Sequence, residues 1–187
     1  MLTEFQRKKQ AWYFHIVDLD RNAYIEAADW DALAQNLCAL RGIPEGSEAY
    51  GQVMGVVGTV WENICKVCGV TPEGRIDLEQ WLEFEDQMAV NCDEALYNDY
   101  VNTIVRGVFD VFDVNKDDQL SLQEWAQLYA AWRVEPRFAP EAFQKIDRDG
   151  NGFITKDELV QVVKEFHQSD DPNAPGNWLF GPIPEHV

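Results

Sequence analysis

Residues 147–158 read DRDGNGFITKDE, and they place oxygen atoms at alternate positions of a short loop. The candidate ligands, at loop positions 1, 3, 5, 7 and 12, are Asp147, Asp149, Asn151, the carbonyl of Phe153 and Glu158. A hard divalent cation takes about six to eight oxygens, and a chain that wraps around it can present side chains only from alternate positions. Gly152, at position 6, permits the sharp turn. The stretch therefore predicts a loop that binds calcium.

The same spacing occurs in two further stretches, 18–29 (DLDRNAYIEAAD) and 113–124 (DVNKDDQLSLQE). Their candidate ligands are Asp18, Asp20, Asn22, the Tyr24 carbonyl and Asp29 in the first, and Asp113, Asn115, Asp117, the Gln119 carbonyl and Glu124 in the second. Asp118 replaces the turn glycine of the second, and aspartate tolerates the left-handed backbone better than most residues. Helical patterns flank each stretch, so we interpret all three as the twelve-residue calcium loops of EF-hands.

The first loop departs from the pattern at two positions. Ala23 takes the place of the glycine, which costs on the order of 1 kcal/mol in a left-handed conformation. Asp29 is one methylene shorter than the usual glutamate, and a shorter last ligand favours six-fold coordination, which suits Mg²⁺ as well as Ca²⁺. Glu26 adds a further carboxylate to this loop. We predict three bound calcium ions per chain, with Mg²⁺ competing mainly at the first loop.

A fourth copy of the frame, 69–80 (GVTPEGRIDLEQ), keeps the turn glycine but has lost the ligands. Gly69 and Gln80 stand at the first and last ligand positions, where the other loops have carboxylates. Ile76 falls at the aliphatic position that Ile25 holds in the first loop. We therefore predict a loop without an ion, whose Ile76 pairs with Ile25 in a short ribbon.

Apolar residues recur at helical spacing on both sides of every loop. The predicted helices span residues 4–17, 26–40, 47–68, 78–90, 93–112, 122–132, 140–146 and 156–167, with Asp93 as an N-cap. The resulting fold class is all-α, with four EF-hands in two pairs that form one compact globule. We expect an N-terminal pair at 1–92, a C-terminal pair at 93–168 and a tail at 169–187 that packs on the core.

The tail begins with turn formers and prolines, so it cannot continue the preceding helix. It nevertheless carries an apolar cluster of Trp178, Leu179, Phe180 and Ile183, which a merely solvated terminus would not need. We expect this cluster to dock across the groove between the two EF-hand pairs and to keep the molecule closed.

The charge balance excludes several classes of partner. The chain has 33 acidic and 15 basic residues among 187, a net charge of −18, and an acidic surface repels nucleic-acid phosphates. No stretch approaches the roughly 18 apolar residues of a membrane span, and the first residues lack the apolar core of a signal peptide. We expect a cytoplasmic monomer that binds no nucleic acid and does not insert into membranes.

Four cysteines are expected to be free thiols, because a chain this rich in apolar residues does not need disulfides. The pair Cys65 and Cys68 has the spacing of redox and zinc sites. It follows a helical pattern instead of opening one, and no second pair at zinc spacing accompanies it, so both readings are disfavoured.

The order of one intact loop, one broken loop and two intact loops resembles the sarcoplasmic calcium-binding proteins and the prokaryotic calerythrin group. The start at 5–7 (FQR) and the tail stretch 176–181 (GNWLFG) are more similar to the calexcitin group. The resemblance covers nearly the whole chain and implies the EF-hand fold and ion binding. In the calexcitin group, as the resemblance implies, the second hand binds an ion and the fourth does not. In this chain the second loop is broken and the fourth is intact.

Three functions compete with simple calcium buffering. Catalysis is disfavoured, because the sequence has no phosphate-binding loop or nucleophile elbow and its histidines have no nucleophile in register. A carrier of an apolar luciferin-type ligand would use Trp12, Tyr13 and His15 to line a cavity, although such residues are also ordinary core choices. A sensor would expose an apolar surface to a protein target. Sensors are typically Met-rich, and the chain has only three methionines, which favours a buffer.

Overall fold

The structure, a computed structural model, describes residues 1–185, with only the backbone described at 67 and 89–91. Helices account for 64% of it. Its α-helices are α1 (Glu4–Val17), α2 (Ala27–Leu40), α3 (Glu48–Cys68), α4 (Leu78–Glu85), α5 (Glu94–Phe112), α6 (Leu122–Ala131), α7 (Ala139–Ile146) and α8 (Lys156–Gln168). Its strands are β1 (Ile25–Glu26), β2 (Arg75–Ile76), β3 (Gln119–Leu120) and β4 (Ile154–Thr155). The predicted all-α fold class is confirmed.

Each loop ends with the residues that start the next helix. Ser121 and Thr155 are N-caps of α6 and α8, and their side chains accept hydrogen bonds from the amides of Glu124 and Glu158. The glutamates reach back to the amides of their caps, completing two capping boxes. The predicted final ligands therefore also fix the first turns of the helices that follow the loops.

The loops are joined in pairs by short antiparallel ribbons. In the first ribbon Ile25 lies opposite Ile76, which confirms the predicted pairing. In the second, Leu120 lies opposite Ile154. All four side chains are fully buried, so each ribbon anchors two loops back to back on the core.

The two halves of the chain share one core. Helix α2 packs on α6, and α1 packs on α4 and α8. Lys9 of α1 is fully buried and donates to the carbonyls of Glu165 (3.1 Å) and Ser169 (2.6 Å), at the C-terminal end of α8. Burial lowers the pKa of Lys9 to about 8, against the opposing effect of nearby Asp170 and Glu165. A buried cation thus ties the first helix to the last.

The prediction of one α-helix over 78–90 is wrong in its second part. Helix α4 ends at Glu85, and Asp86–Asn91 form a π-helix, whose turns hold an extra residue. Glu85 and Met88 are both buried around this transition, and the Glu85 carboxylate lies 2.7 Å from Nδ1 of His167. The wider turn is accompanied by a buried polar contact between α4 and α8, which helical periodicity could not indicate.

The tail lies on the core at the junction of the two halves. Phe180 is 6% exposed and stacks on Tyr13 of α1 at a ring distance of 4.7 Å. Its ring also meets Phe166 of α8 edge-on at 5.4 Å. The Tyr129 hydroxyl donates to the Trp178 carbonyl (2.5 Å) and accepts from the Gly181 amide (3.0 Å). The last two residues of the predicted tail, 186 and 187, lie outside the described residues.

Candidate metal centres

The first loop folds its own carboxylates around a common point. Both oxygens of Asp18 accept backbone amides of the turn, from Asn22 at 3.0 Å and from Ala23 at 2.9 Å. The Asn22 side-chain oxygen accepts the amide of Tyr24 at 2.8 Å, which fixes the peptide next to the candidate carbonyl ligand. Asp18 and Asp29 are buried while Asp20 is exposed, so the cluster has one open side.

The third and fourth loops repeat these bonds position by position. Both oxygens of Asp113 and of Asp147 accept amides from positions 5 and 6 of their loops, at distances between 2.9 and 3.2 Å. The side chains at position 5 accept the amides of Gln119 (3.0 Å) and Phe153 (2.8 Å), the two other candidate carbonyl ligands. Three sequences that differ at most positions therefore adopt one loop conformation.

The turns of these loops share left-handed residues at positions 4 and 6. Glycines fill both positions in the fourth loop, at 150 and 152. In the other two loops the positions are held by non-glycine residues with φ between 58° and 69°, namely Arg21, Ala23, Lys116 and Asp118. Such strain, on the order of 1–2 kcal/mol per residue, is retained only where surrounding contacts impose it. Here those contacts are the hydrogen bonds that backbone amides of the turn donate to the carboxylates at position 1.

The last ligand position closes each loop. Glu124 accepts the amides of Val114 and Ser121, and Glu158 accepts those of Arg148 and Thr155, all at 2.9 Å. Asp29 does the same with the amides of Leu19 and Glu26, also at 2.9 Å. The shorter aspartate therefore spans the same two amides as glutamate does in the other loops.

These carboxyl groups differ in their protonation equilibria. Burial raises the pKa of Asp29, against the opposing effect of the amides that bond to it. Burial acts in the same sense on Glu124, but hydrogen bonds from Ser121, Val114 and Asn115 outweigh it and lower the pKa of Glu124. Asp29 thus holds its proton more tightly than an ordinary carboxyl group, and Glu124 holds its proton less tightly.

In each of two loops, the carboxylates lie close enough together to bind one ion. One oxygen each from Asp18, Asp20 and Asp29 lies within 4.8 Å of the others, and the same holds for Asp147, Asp149 and Glu158. In the third loop the carboxylates stand at positions 1, 5 and 12, and they do not form such a group within the described residues. Hard oxygen donors that a turn brings close together suit Ca²⁺ or Mg²⁺ at the first and fourth loops.

The second loop has a different backbone as well as different side chains. Gly74, at position 6, is not in the left-handed region, and a Cβ there would lie 3.0 Å from the Thr71 carbonyl. The capping box nevertheless survives, because Asp77 and Gln80 bond each other's amides at 2.9 and 3.0 Å. The loop therefore keeps its structural role in the ribbon while offering no carboxylate at positions 1 and 12.

The three residues that were predicted to line one ligand pocket lie in two different cavities of the described structure. Tyr13 lines an apolar cavity of about 160 Å³ between α3 and α5, together with Trp30, Phe84 and Tyr100. Trp12 and His15 instead line a recess beside the loop 18–29. The idea of one cavity lined by Trp12, Tyr13 and His15 is therefore wrong, because adjacent residues of α1 point to different sides of the helix.

Several contacts that shape the molecule were absent from the sequence-based prediction. These contacts join residues that are far apart in the chain or irregularly spaced: Glu85 with His167, Tyr129 with the tail, and Glu165 with Gly176. No local motif marks any of these contacts. The four cysteines are free, as expected, and burial raises the pKa of Cys65 to about 11 and of Cys68 to about 12. Those thiols lack the acidity of a redox or metal-binding pair.

Comparison with known families identifies two segments of the chain. Residues 140–166 match the family described as EF hand domain, and residues 104–129 match a family described as EF hand. These matches contain the fourth and third loops, respectively. Within the described part of the chain, no helix has the length and apolar character required to cross a membrane.

Related proteins extend the similarity to the first half of the chain. Calerythrin of Saccharopolyspora erythraea is 29% identical over 150 residues, which are 80% of this chain and 85% of calerythrin. Sarcoplasmic calcium-binding protein 1 of Astacus leptodactylus is 20% identical over 91% of this chain and 92% of its own. The coelenterazine-binding protein of Renilla muelleri has the same fold, with a TM-score of 0.77, 19% identity and coverage of 97% and 100%. The chain is therefore a calcium-binding EF-hand protein, similar in sequence to calerythrin and the sarcoplasmic calcium-binding proteins.

Proposed function

We propose that the protein binds three divalent cations, one at each of the loops 18–29, 113–124 and 147–158, and acts as a calcium buffer of the cytoplasm. The observation that carries the proposal is the conformation shared by these loops, in which positions 1 and 12 each hold two backbone amides. In the third loop the carboxylates must draw together on binding, whereas a cation that enters the first or fourth loop meets oxygens that already lie close together. Little ordering is then required on binding at those two loops, and this favours tight sites.

The tail favours a buffer over a sensor. A sensor must open an apolar groove to receive a target, but here Phe180 and Leu179 occupy the junction between the proposed N-terminal pair at 1–92 and the C-terminal pair at 93–168. Opening that surface would first require the tail to leave it. The alternative function, a sensor that binds a protein target, would therefore require calcium to release the tail.

A carrier of an apolar ligand is the second candidate, and the cavity lined by Tyr13 and Trp30 favours it. The structural neighbour from Renilla muelleri is a coelenterazine-binding protein by name. The cavity of about 160 Å³ is, however, smaller than the roughly 300–1,000 Å³ of pockets that enclose drug-sized ligands. The core would have to expand before it could hold such a molecule, so we place buffering first.

Calorimetric titration of calcium tests the proposal. The wild type should bind three equivalents, and E124Q, E158Q and D29N should each bind one fewer. Q80E is the matched control, since it restores a carboxylate in a loop whose backbone is not in the binding conformation, and it should leave the number at three. Two or four equivalents in the wild type would overturn the assignment of the loops.

A further inference from the structure

The carboxylate of Glu165, on α8, contacts both the fourth loop and the tail. One of its oxygens, Oε1, lies 2.5 Å from Nη2 of Arg148. The other, Oε2, accepts the backbone amide of Gly176 at 3.0 Å. Glu165 and Arg148 are 29% and 33% exposed, respectively, so the ion pair is only partly screened by water.

On the loop side, Arg148 occupies position 2, directly after the candidate ligand Asp147. Its backbone amide donates to Oε1 of Glu158, the final candidate ligand, at 2.9 Å. The backbone of Arg148 is thus held by a group that would bind the ion, while its side chain is held by Glu165. A change in the loop that displaces Glu158 therefore acts on the backbone that carries the guanidinium.

On the tail side, Gly176 is seated tightly against α8. A Cβ at this position would lie 2.5 Å from the Glu165 Cβ and 2.6 Å from the Val162 carbonyl oxygen, so only glycine fits. Leu179 and Phe180 enter the core a few residues later. The seat of Gly176 therefore determines whether these apolar side chains can dock.

We propose that Glu165 is a positioning residue that couples cation binding at the fourth loop to docking of the tail. The inference rests on the proposed function, because it requires that the loop 147–158 binds calcium. By thermodynamic linkage the effect is reciprocal: the ion favours the docked tail, and the docked tail raises the affinity of the loop for the ion by the same factor.

The sign of the coupling follows from electrostatics. Carboxylates of Asp147, Asp149 and Glu158 within 4.8 Å of one another repel when no cation lies between them. A bound cation removes this repulsion and holds Glu158 in place, which holds Arg148 where Glu165 can meet it. Calcium therefore stabilises the closed form of the molecule.

The coupling is specific to the fourth loop. Position 2 holds Leu19 in the first loop and Val114 in the third, and neither residue can form an ion pair. The third loop, which is joined to the fourth through the second ribbon, is therefore an internal control within the same molecule.

Amide hydrogen exchange of Gly176, with and without calcium, tests the first half of the linkage. In the wild type, calcium should slow exchange about two- to five-fold, the range given by a partly exposed ion pair. The effect should vanish in E158Q, shrink in R148Q and persist in R148K, which keeps the charge. An equal calcium effect in wild type and R148Q would overturn the route through Glu165.

Calcium titration followed by NMR tests the reciprocal half. The Gly152 amide, which donates to Asp147, reports on the fourth loop, and the Asp118 amide, which donates to Asp113, reports on the third. G176A and E165Q should each weaken binding at the fourth loop about two- to five-fold and leave the third within error. G58A is the control for glycine substitution, since a Cβ there meets nothing within 4 Å.

The results separate the failure of the coupling from the failure of the proposed function. If the Gly152 amide of the wild type does not respond to calcium, the fourth loop is not a site and both ideas fail. If it responds but its midpoint is the same in wild type, G176A and E165Q, the loop binds calcium and the coupling is overturned. Equal weakening of both loops would indicate general destabilisation and would overturn the coupling as well.

Discussion

Replacing Phe180 by alanine tests whether the tail is part of the folded core. The ring is 6% exposed, stacks on Tyr13 at 4.7 Å and meets Phe166 and Trp132 edge-on at 5.4 and 6.2 Å. Removing a buried phenylalanine costs about 3–5 kcal/mol when the structure keeps its shape. The free energy of unfolding of most domains is about 5–15 kcal/mol, so the variant should lose a large part of its stability.

The expected readouts are a lower melting temperature and a change in dye binding, both measured in saturating calcium. For a chain of this size, about 1 kcal/mol shifts the melting temperature by roughly 2–4 °C, so F180A should melt about 6–20 °C below the wild type. If the tail undocks instead of leaving a cavity, the loss of stability is limited to the free energy of docking. Binding of a hydrophobic dye should then rise, because the surface around Tyr13 becomes exposed.

The control for F180A is L96A, at a leucine of α5 that is 56% exposed. An exposed apolar residue contributes little, and its replacement should change stability by no more than about 0.5 kcal/mol. If F180A matches L96A in both melting temperature and dye binding, the tail does not contribute to the core. A docked tail would then not be what keeps the molecule closed.

Three further predictions concern the ions and the buried lysine. D29E should shift the first loop toward calcium over Mg²⁺ in competition titrations, because the longer side chain can offer both oxygens to the larger ion; unchanged selectivity would mean that Glu26 or water sets the coordination. Removal of calcium by a chelator should lower the melting temperature, because unneutralised carboxylates repel, and equal melting temperatures would contradict this. Between pH about 8 and 10 folded Lys9 has released its proton while unfolded lysine still holds it, so Lys9 by itself adds stability as the pH rises; in calorimetry the stability of the wild type relative to K9M should therefore increase over this range, and a constant difference would contradict this.

The loops were predictable because their geometry is local. The hydrogen bonds from backbone amides to the candidate ligand side chains join residues at most ten positions apart, for example Asp18 with Asn22 and Leu19 with Asp29, so the spacing of side chains in the sequence is enough to indicate the shape. The pairing of Ile25 with Ile76 in the ribbon was predictable from the same spacing, because both residues stand at position 8 of their loops, which must face the core. The ligand assignments themselves stay predictions until the ions are counted.

The sequence was less informative wherever a contact depends on the folded chain. The pairing of Glu85 with His167 joins residues 82 positions apart, and the π-turn beside it interrupts a helix whose apolar pattern continues. The apolar cluster of the tail could be recognised in the sequence as an excess of apolar residues, but the position at which it docks, its seat on the core, could not be predicted. That seat depends on the Tyr129 hydroxyl, 52 positions from Gly181, and on the space that Gly176 leaves beside α8.

The second loop shows how a hand without carboxylates at the first and last ligand positions can keep its fold. In the proposed cation sites the final residue of the loop has two tasks, since it would offer oxygens to the ion and it also closes the capping box of the next helix. Gln80 performs only the second task, because its amide oxygen still accepts the backbone N–H of Asp77 at 3.0 Å although it carries no charge for a cation. The same reasoning predicts that E124Q and E158Q lose their ions without unfolding α6 or α8. Far-UV circular dichroism should therefore stay close to that of the metal-free wild type in both variants, and a loss of helix beyond that level would mean that the charge of the glutamate is needed for the cap as well.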